Sequence, residues 1–479
     1  MNGRRRSAED SGVAVSSGRA AHDGVFGPAL FVAALVPRLY VALAWAAEPV
    51  WDGHYYDFGA RRIAAGLGYS DDLTTLGRVV WHPWCHYPVG YSAFLALFYR
   101  VFGATTTVAA VVNACVGAAL AVVTWMLARH ALGAWRSRAA GLLVALHPGL
   151  VLYSALVMSE PLSALLTLVA FLLAVRDARP MRGVVIGALA LGVAALVRPQ
   201  ALLCAPFLAL VAARGERVRA ARVLAVAAAA CALALVPVLP WTARNCRVMD
   251  GCALVSTNGG WNLAIGSFPR ATGRFETLRS SDGCREVTGQ VQQDRCWLVY
   301  GMGQIREHPA RWLALVPAKL GFTFDHESFA VEYLREARPA EWPEARRVLA
   351  RDVTTAFHLA LVCAAALGCV AFRARGVGAR AWVQGALLVG IAVLFYAALT
   401  SRSFWPLALV PAIVPWLPLP GRASWPPALL LPVALLATTI ATHAAFFGED
   451  RYHVVVTPVL ALLACAALRS PRSVASVCV

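Results

Sequence analysis

Three groups of residues in this sequence could carry chemistry: an aspartate set among aromatics, arginines at the margins of apolar runs, and four cysteines close together. Asp52 lies in Glu48-Pro49-Val50-Trp51-Asp52-Gly53-His54-Tyr55-Tyr56-Asp57, directly after an apolar stretch. A carboxylate held where a span meets the interface faces both water and lipid, and can take a proton from a hydroxyl nucleophile. The same position also suits an N-cap for the helical pattern that follows through Ala60, Ile63 and Ala64. Further on comes Trp81-His82-Pro83-Trp84-Cys85-His86-Tyr87-Pro88-Val89-Gly90-Tyr91. Its aromatics suit a membrane interface, and His86 could instead bond a phosphate or a sugar hydroxyl.

Arg38 falls inside the first apolar run. An arginine at a helix centre costs roughly 2.5–3.5 kcal/mol on insertion scales, so it needs a partner or a function unless it snorkels to the interface. Arg198, Arg244 and Arg451 stand at the outer edges of other runs, with Arg38 and Lys319 nearby in depth. Glu160, between two runs, reads as a helix cap with Ser159 or as the partner of an arginine. The Gly- and Asn-rich stretch Ser256 to Leu263 reads equally as a wall of an acceptor groove or as a tight turn.

The elements that must position these residues follow from composition. Of 479 residues, 59% are hydrophobic and 14% charged, and the mean hydropathy is +0.62. A water-soluble domain carries about a quarter charged residues, so a single soluble domain is excluded. Apolar runs recur at about 26–47, 105–128, 139–157, 161–175, 183–197, 199–213, 220–240, 354–372, 381–400, 404–420, 425–446 and 453–468. They predict an all-α polytopic membrane protein with about 12 (11–13) transmembrane helices. The shorter stretches Tyr87 to Phe102 and Trp312 to Phe324 read as interfacial or re-entrant helices.

The charge of +17 comes almost wholly from arginine, Lys319 being the only lysine. With both termini inside, the loops Arg129–Arg138, Arg176–Arg182, Arg214–Arg222 and Arg373–Arg380 all fall on the cytoplasmic side, as the positive-inside rule requires. That distribution explains the charge without nucleic acid. It leaves two large extracytoplasmic loops, 48–104 and 242–353, in which function should reside. Residues 1–24 are polar and read as a disordered cytoplasmic tail rather than a cleaved signal, and residues 25–479 as one membrane domain. No internal repeat is visible.

Six cysteines, Cys115, Cys204, Cys231, Cys363, Cys369 and Cys465, lie in apolar runs and read as small buried hydrophobes. Cys246, Cys252, Cys284 and Cys296 share the second loop, where oxidation is possible. Four cysteines allow three pairings, and the short spacings favour Cys246 with Cys252 and Cys284 with Cys296. The spacing does not suit zinc.

The set Asp52, Tyr56, Ala60, Gly66 and His86-Tyr87-Pro88-Val89-Gly90-Tyr91 resembles the first periplasmic loop of the GT-C membrane glycosyltransferases. The branch it resembles is the prokaryotic one related to protein O-mannosyltransferases and lipid A aminoarabinose transferases. Ser159-Glu160-Pro161-Leu162, Arg198-Pro199, Pro240-Trp241-Thr242-Ala243-Arg244-Asn245, Ser256 to Leu263 and Arg451-Tyr452-His453 extend the resemblance along the chain. It implies transfer of a sugar, mannose or another hexose or pentose, from a polyprenyl-phosphate carrier to an acceptor hydroxyl on the extracytoplasmic face of the plasma membrane. The acceptor could be a protein, a glycan, a lipid or a secreted small molecule.

Under this resemblance Asp52 is the catalytic aspartate. Arg38, Arg198, Arg244, Arg451 and Lys319 are the candidates for the donor phosphate, arginine being suited to bond two of its oxygens. Tyr56, His86, Tyr87, Asn258 and Asn262 are the candidates for other substrate contacts. Many relatives carry a second acid directly after the aspartate, where this chain has Gly53. No metal ligand or other cofactor is therefore assigned, and divalent-metal dependence is left open. The competing readings are a secondary transporter or lipid flippase, which should show related halves and mid-membrane ionisable groups, and a scaffold or polymer ligase. Convergence of Asp52, Arg198, Arg244 and Arg451 on one cavity, beneath two loops packed together, would separate the first reading from these.

Overall fold

A computed structural model describes residues 6–75, 77–213, 219–370, 379–418 and 425–466. Helix α1 (Arg6–Trp45) is followed by α2 (Asp52–Ala64), the antiparallel hairpin β1 (Ser70–Thr75) and β2 (Arg78–Pro83), α3 (Val89–Phe102) and α4 (Thr106–Ala128). From α4 onward the described chain is helical, and the bundle core is aliphatic and alanine-rich. Residues 6–24, expected as a tail, continue α1 in this structure, while residues 1–5 lie outside the described residues.

The polytopic α-helical architecture agrees with the sequence. Among the described residues six helices are long and apolar enough to cross a membrane, or eight if two sharply bent pairs each count as one span. Runs 199–213, 404–420 and 453–468 instead form the shorter helices Pro199–Ala212, Trp405–Trp416 and Thr457–Ala466. Hydropathy registers an apolar run whether its backbone is one helix or several segments, and each of these runs contains proline, which interrupts the hydrogen-bond ladder.

One break explains Arg38. Helix Ala134–Ala145 and segment Pro148–Ala155 meet at 53°. Pro148 has no N–H for the carbonyl of Val144, four residues earlier, so the bend leaves buried carbonyls that must be satisfied. The guanidinium of Arg38, fully buried, donates to Val144 O at 2.9 Å, Ala145 O at 2.6 Å and Ala34 O at 2.8 Å. Arg38 is the bolt of a broken helix.

The two large loops pack on each other. Thr257 N–H donates to Cys85 O at 3.0 Å, and Cys85 N–H to Gln290 Oε1 at 3.0 Å. Cys246 is bonded to Cys252 and Cys284 to Cys296, the pairs that the spacing favoured. Helix α2 buries Gly53, Tyr56, Asp57 and Ala60, which recur at helical spacing and form one face against α3.

Candidate active site

Where the loops meet the bundle there is a cavity of about 400 Å³. Its lining includes the polar residues Asp52, His86, Arg198, Asn258, Asn262 and Arg451 and the apolar residues Leu203, Leu254, Phe275 and Phe446.

Asp52 is the first residue of α2, and Trp51, with φ 50°, is its N-cap. This left-handed backbone conformation is rare for a bulky residue and turns the chain sharply into the helix. The Asp52 carboxylate makes no side-chain cap. Tyr87 Oη donates to its Oδ1 at 2.7 Å, and Arg451 Nη1 to its Oδ2 at 2.5 Å. Burial pushes the carboxyl up, but the charge of Arg451 and the hydrogen bonds from Tyr87 and Arg451 outweigh it, and the net shift is downward. The N-cap alternative is thereby set aside.

Gly53 has no room for a second acid. A Cβ there would fall 2.2 Å from Tyr333 Oη and 3.0 Å from Val157 O. Asp57, the nearby acid, is turned away from the cavity: it accepts from Tyr99 Oη and Arg61 Nε, both at 2.5 Å.

Arg451 sits in the turn Asp450–Val455, which Asp450 anchors by accepting from Ser328 Oγ at 2.9 Å and Phe329 N at 2.7 Å. Arg451 Nε also lies 2.5 Å from Glu449 Oε2. Burial, with the charges of Asp52 and Asp450, pushes the Glu449 carboxyl up to about 7 despite Arg451. Arg198 lies 3.0 Å from Glu160 Oε1, the fully buried acid at the start of helix Glu160–Arg176. Both guanidinium groups lie over the Tyr452 ring, 5.5 Å for Arg198 and 5.1 Å for Arg451 from its centroid.

Asp52, Tyr56, His86, Tyr87, Arg198, Asn258, Asn262 and Arg451 thus line one cavity. Burial pushes the His86 imidazole below its ordinary value, so it is neutral at pH 7 and can both donate and accept. Asn258 precedes the helix Gly259–Ile265, and Ser256, Gly259 and Trp261 join it on the cavity wall. The stretch from Ser256 is therefore both a turn and a wall.

Three of the five candidate cations for the phosphate do not line the cavity. Arg38 serves the broken helix. Arg244 donates to Trp84 O at 2.9 Å and Tyr69 O at 2.7 Å and stacks over Trp241, tying the two loops together. Lys319 Nζ donates to Ala445 O at 3.1 Å and Ala444 O at 3.4 Å, at the end of helix Pro427–Ala445. In each case buried carbonyls claim the cation, and sequence cannot show where those carbonyls are. Glu449 was not singled out from the sequence; its place two residues before Arg451 is the only signal there for it.

Residues 86–241 match the family model described as dolichyl-phosphate-mannose-protein mannosyltransferase. The matched span includes His86 to Tyr91, Ser159 to Leu162 and Arg198-Pro199; Asp52 and Arg451 lie outside it. No curated protein matches the chain. Among solved structures it is similar to the archaeal oligosaccharyltransferase AglB from Archaeoglobus fulgidus, in complex with an inhibitory peptide and a dolichol-phosphate. The identity is 16% over 92% of this chain and 50% of that one, with a TM-score of 0.40. It is also similar to ArnT from Cupriavidus metallidurans bound to undecaprenyl phosphate, at 16% identity over 94% of this chain and 79% of that one, with a TM-score of 0.35. The chain spans about half the length of the oligosaccharyltransferase.

Proposed function

We propose that this chain is an inverting glycosyltransferase that moves a sugar from a polyprenyl-phosphate carrier to an acceptor hydroxyl at the extracytoplasmic face of the membrane. The observation that carries the proposal is a carboxylate and two guanidinium groups in one cavity lined by both polar and apolar residues. A lipid-linked sugar has matching parts: a chain for the apolar residues, a phosphate for the arginines and hydroxyls for His86, Asn258 and Asn262.

In the proposed step the acceptor oxygen attacks the anomeric carbon from the face opposite the phosphate. The bond from that carbon to the phosphate oxygen breaks, and its electron pair leaves with the polyprenyl phosphate. Asp52 takes the acceptor proton. Arg198 and Arg451 stabilise the charge that grows on the departing phosphate, and they do so most effectively because they are fixed before it arrives.

The pairing of Asp52 with Arg451 adds a coupling between donor and base. Without donor, Arg451 holds the Asp52 carboxyl below its ordinary value. A phosphate drawing on Arg451 would weaken that hold and let burial raise the basicity of Asp52. The base would then be strongest when the donor is present.

The test is to reconstitute the full chain in liposomes and supply a panel of radiolabelled polyprenyl-phosphate sugars with a membrane extract as acceptor. Label should move from one donor to a product stable to the mild acid that cleaves the donor, and should not move with Asp52→Asn. Failure of every donor to label the extract, alongside movement of the carrier across the bilayer, would favour the flippase reading.

A further inference from the structure

Behind the cavity wall, three residues distant in sequence meet: Glu327 in the turn before helix Phe329–Ala337, His358 in helix Glu344–Val370 and His453 in the turn that carries Arg451. All three are buried, with 3% exposure for Glu327 and 0% for each histidine. Their ligand-capable atoms lie within 4.8 Å of one another. His453 Nε2 is 3.3 Å from Glu327 Oε2, and His358 Nδ1 is 3.9 Å from the same oxygen. The two rings stack with centroids 3.7 Å apart.

The opposite ring nitrogens fix the tautomers. His453 Nδ1 is 2.7 Å from Thr323 O, and His358 Nε2 is 3.0 Å from Phe324 O. A carbonyl only accepts, so both of these nitrogens carry protons. In neutral imidazoles, His453 Nε2 and His358 Nδ1 are then bare lone pairs, and both face a carboxylate. His358 Nδ1 and Glu327 Oε1 have no hydrogen-bond partner. Lone pairs from two imidazoles and a carboxylate repel one another unless a proton or a metal cation lies between them.

His147 also lies beside the carboxylate, without a hydrogen bond to it. Its Nδ1 accepts from Leu150 N–H at 3.3 Å, so its Nε2 carries the proton that faces Glu327 Oε2 at 3.7 Å. Glu327 is pressed close to Gly149, where a Cβ would fall 1.4 Å from its Oε1.

We propose that Glu327, His358 and His453 bind one divalent first-row metal ion of the zinc type. Two imidazoles and a carboxylate suit such an ion. Donors bonded at about 2.0–2.1 Å in a tetrahedron stand roughly 3.3–3.4 Å apart, close to the shorter separation here. Glu327 offers Oε2, its Oε1 being packed against Gly149, and three protein ligands leave a fourth position for water. The backbone carbonyls on the remote ring nitrogens are the usual partners of metal-bound histidines. The ion would tie the turn carrying Arg451 to helix Glu344–Val370. Its role is positional, since none of its ligands lines the cavity. The sequence offers no signal for it, because the ligands share no motif spacing.

The test uses the full-length, tag-free chain in nanodiscs, stripped with a chelator and titrated with zinc sulfate. One zinc per chain should survive desalting, and reloading should raise the unfolding midpoint. X-ray absorption should show nitrogen and oxygen neighbours near 2.0–2.1 Å with imidazole scattering. Glu327→Gln and His358→Gln, which approximate the native size, should each weaken zinc binding by at least about tenfold. A stripped wild-type chain that takes up no stoichiometric zinc overturns the proposal, as does equal retention of zinc by both variants.

Discussion

Arg451 Nη1 lies 2.5 Å from Asp52 Oδ2, joining the second-last described segment of the bundle to the first loop across 399 residues of sequence. The candidate base and the candidate phosphate ligand are thus one ion pair before any substrate arrives, and their effects are separable by substitution.

Asp52→Asn retains the shape and removes the basicity. Transfer should fall by at least roughly 100-fold, the scale of general-base loss. Donor affinity should not fall, because the substitution frees Arg451. Rapid-quench transfer with labelled donor, together with donor binding by fluorescence, checks both. Near-normal transfer by a folded variant would remove Asp52 from the mechanism, and Asp57 is poorly placed to replace it, being held by Tyr99 and Arg61.

The arginines should divide into two classes. Arg451→Ala should weaken donor binding as well as rate, since the phosphate is present in ground and transition states alike. Arg198→Ala should do the same, and should also lower stability by about 3–5 kcal/mol by leaving the buried Glu160 unpaired. Arg38→Ala and Arg244→Ala should lower the unfolding midpoint while leaving donor affinity of the folded fraction unchanged, because their partners are backbone carbonyls. Loss of donor affinity in folded Arg244→Ala would return that residue to the phosphate site.

Donor affinity should depend on pH through Glu449, whose carboxyl is pushed up to about 7. As pH rises from 6 to 8 the group becomes anionic and competes with the donor phosphate for Arg451. A sugar phosphodiester keeps one fixed negative charge over this range. The donor should therefore bind more tightly at pH 6 than at pH 8, by up to about tenfold, which corresponds to one pKa unit. Glu449→Gln should flatten the profile. Asp52, lowered rather than raised, contributes no change in this window. An unaltered slope in Glu449→Gln would exclude this assignment.

Non-reduced peptide mapping should recover Cys246 with Cys252 and Cys284 with Cys296. Each closes a short loop and should stabilise the folded chain by about 2–3 kcal/mol. Paired serine substitutions should lower the unfolding midpoint accordingly. Four free thiols in protein from an oxidising compartment would contradict both bonds.

The sequence by itself determined the helical, multi-pass character, the two large loops and the identity of eight of the residues that line the cavity. These are local or compositional properties: apolar runs fold as helices because lipid leaves no other partner for the backbone, and Asp52, His86 and Asn258 lie in motifs whose order can be read directly. It also showed the favoured cysteine pairs, because a short separation limits which partners can meet.

Tertiary structure alone decided which cations face the cavity. Arg38, Arg244 and Lys319 look like Arg198 and Arg451 in sequence, each a cation within or beside an apolar run. What separates them is the position of carbonyls freed by a proline break, a loop or a helix end, and those arise only when segments pack. The same reason hid the ion pair of Asp52 with Arg451, the steric exclusion of a second acid at position 53 by Tyr333, and the meeting of Glu327 with His358 and His453. Spacing along a chain carries information over a helix turn or a short loop; beyond that distance the packed fold decides which side chains meet.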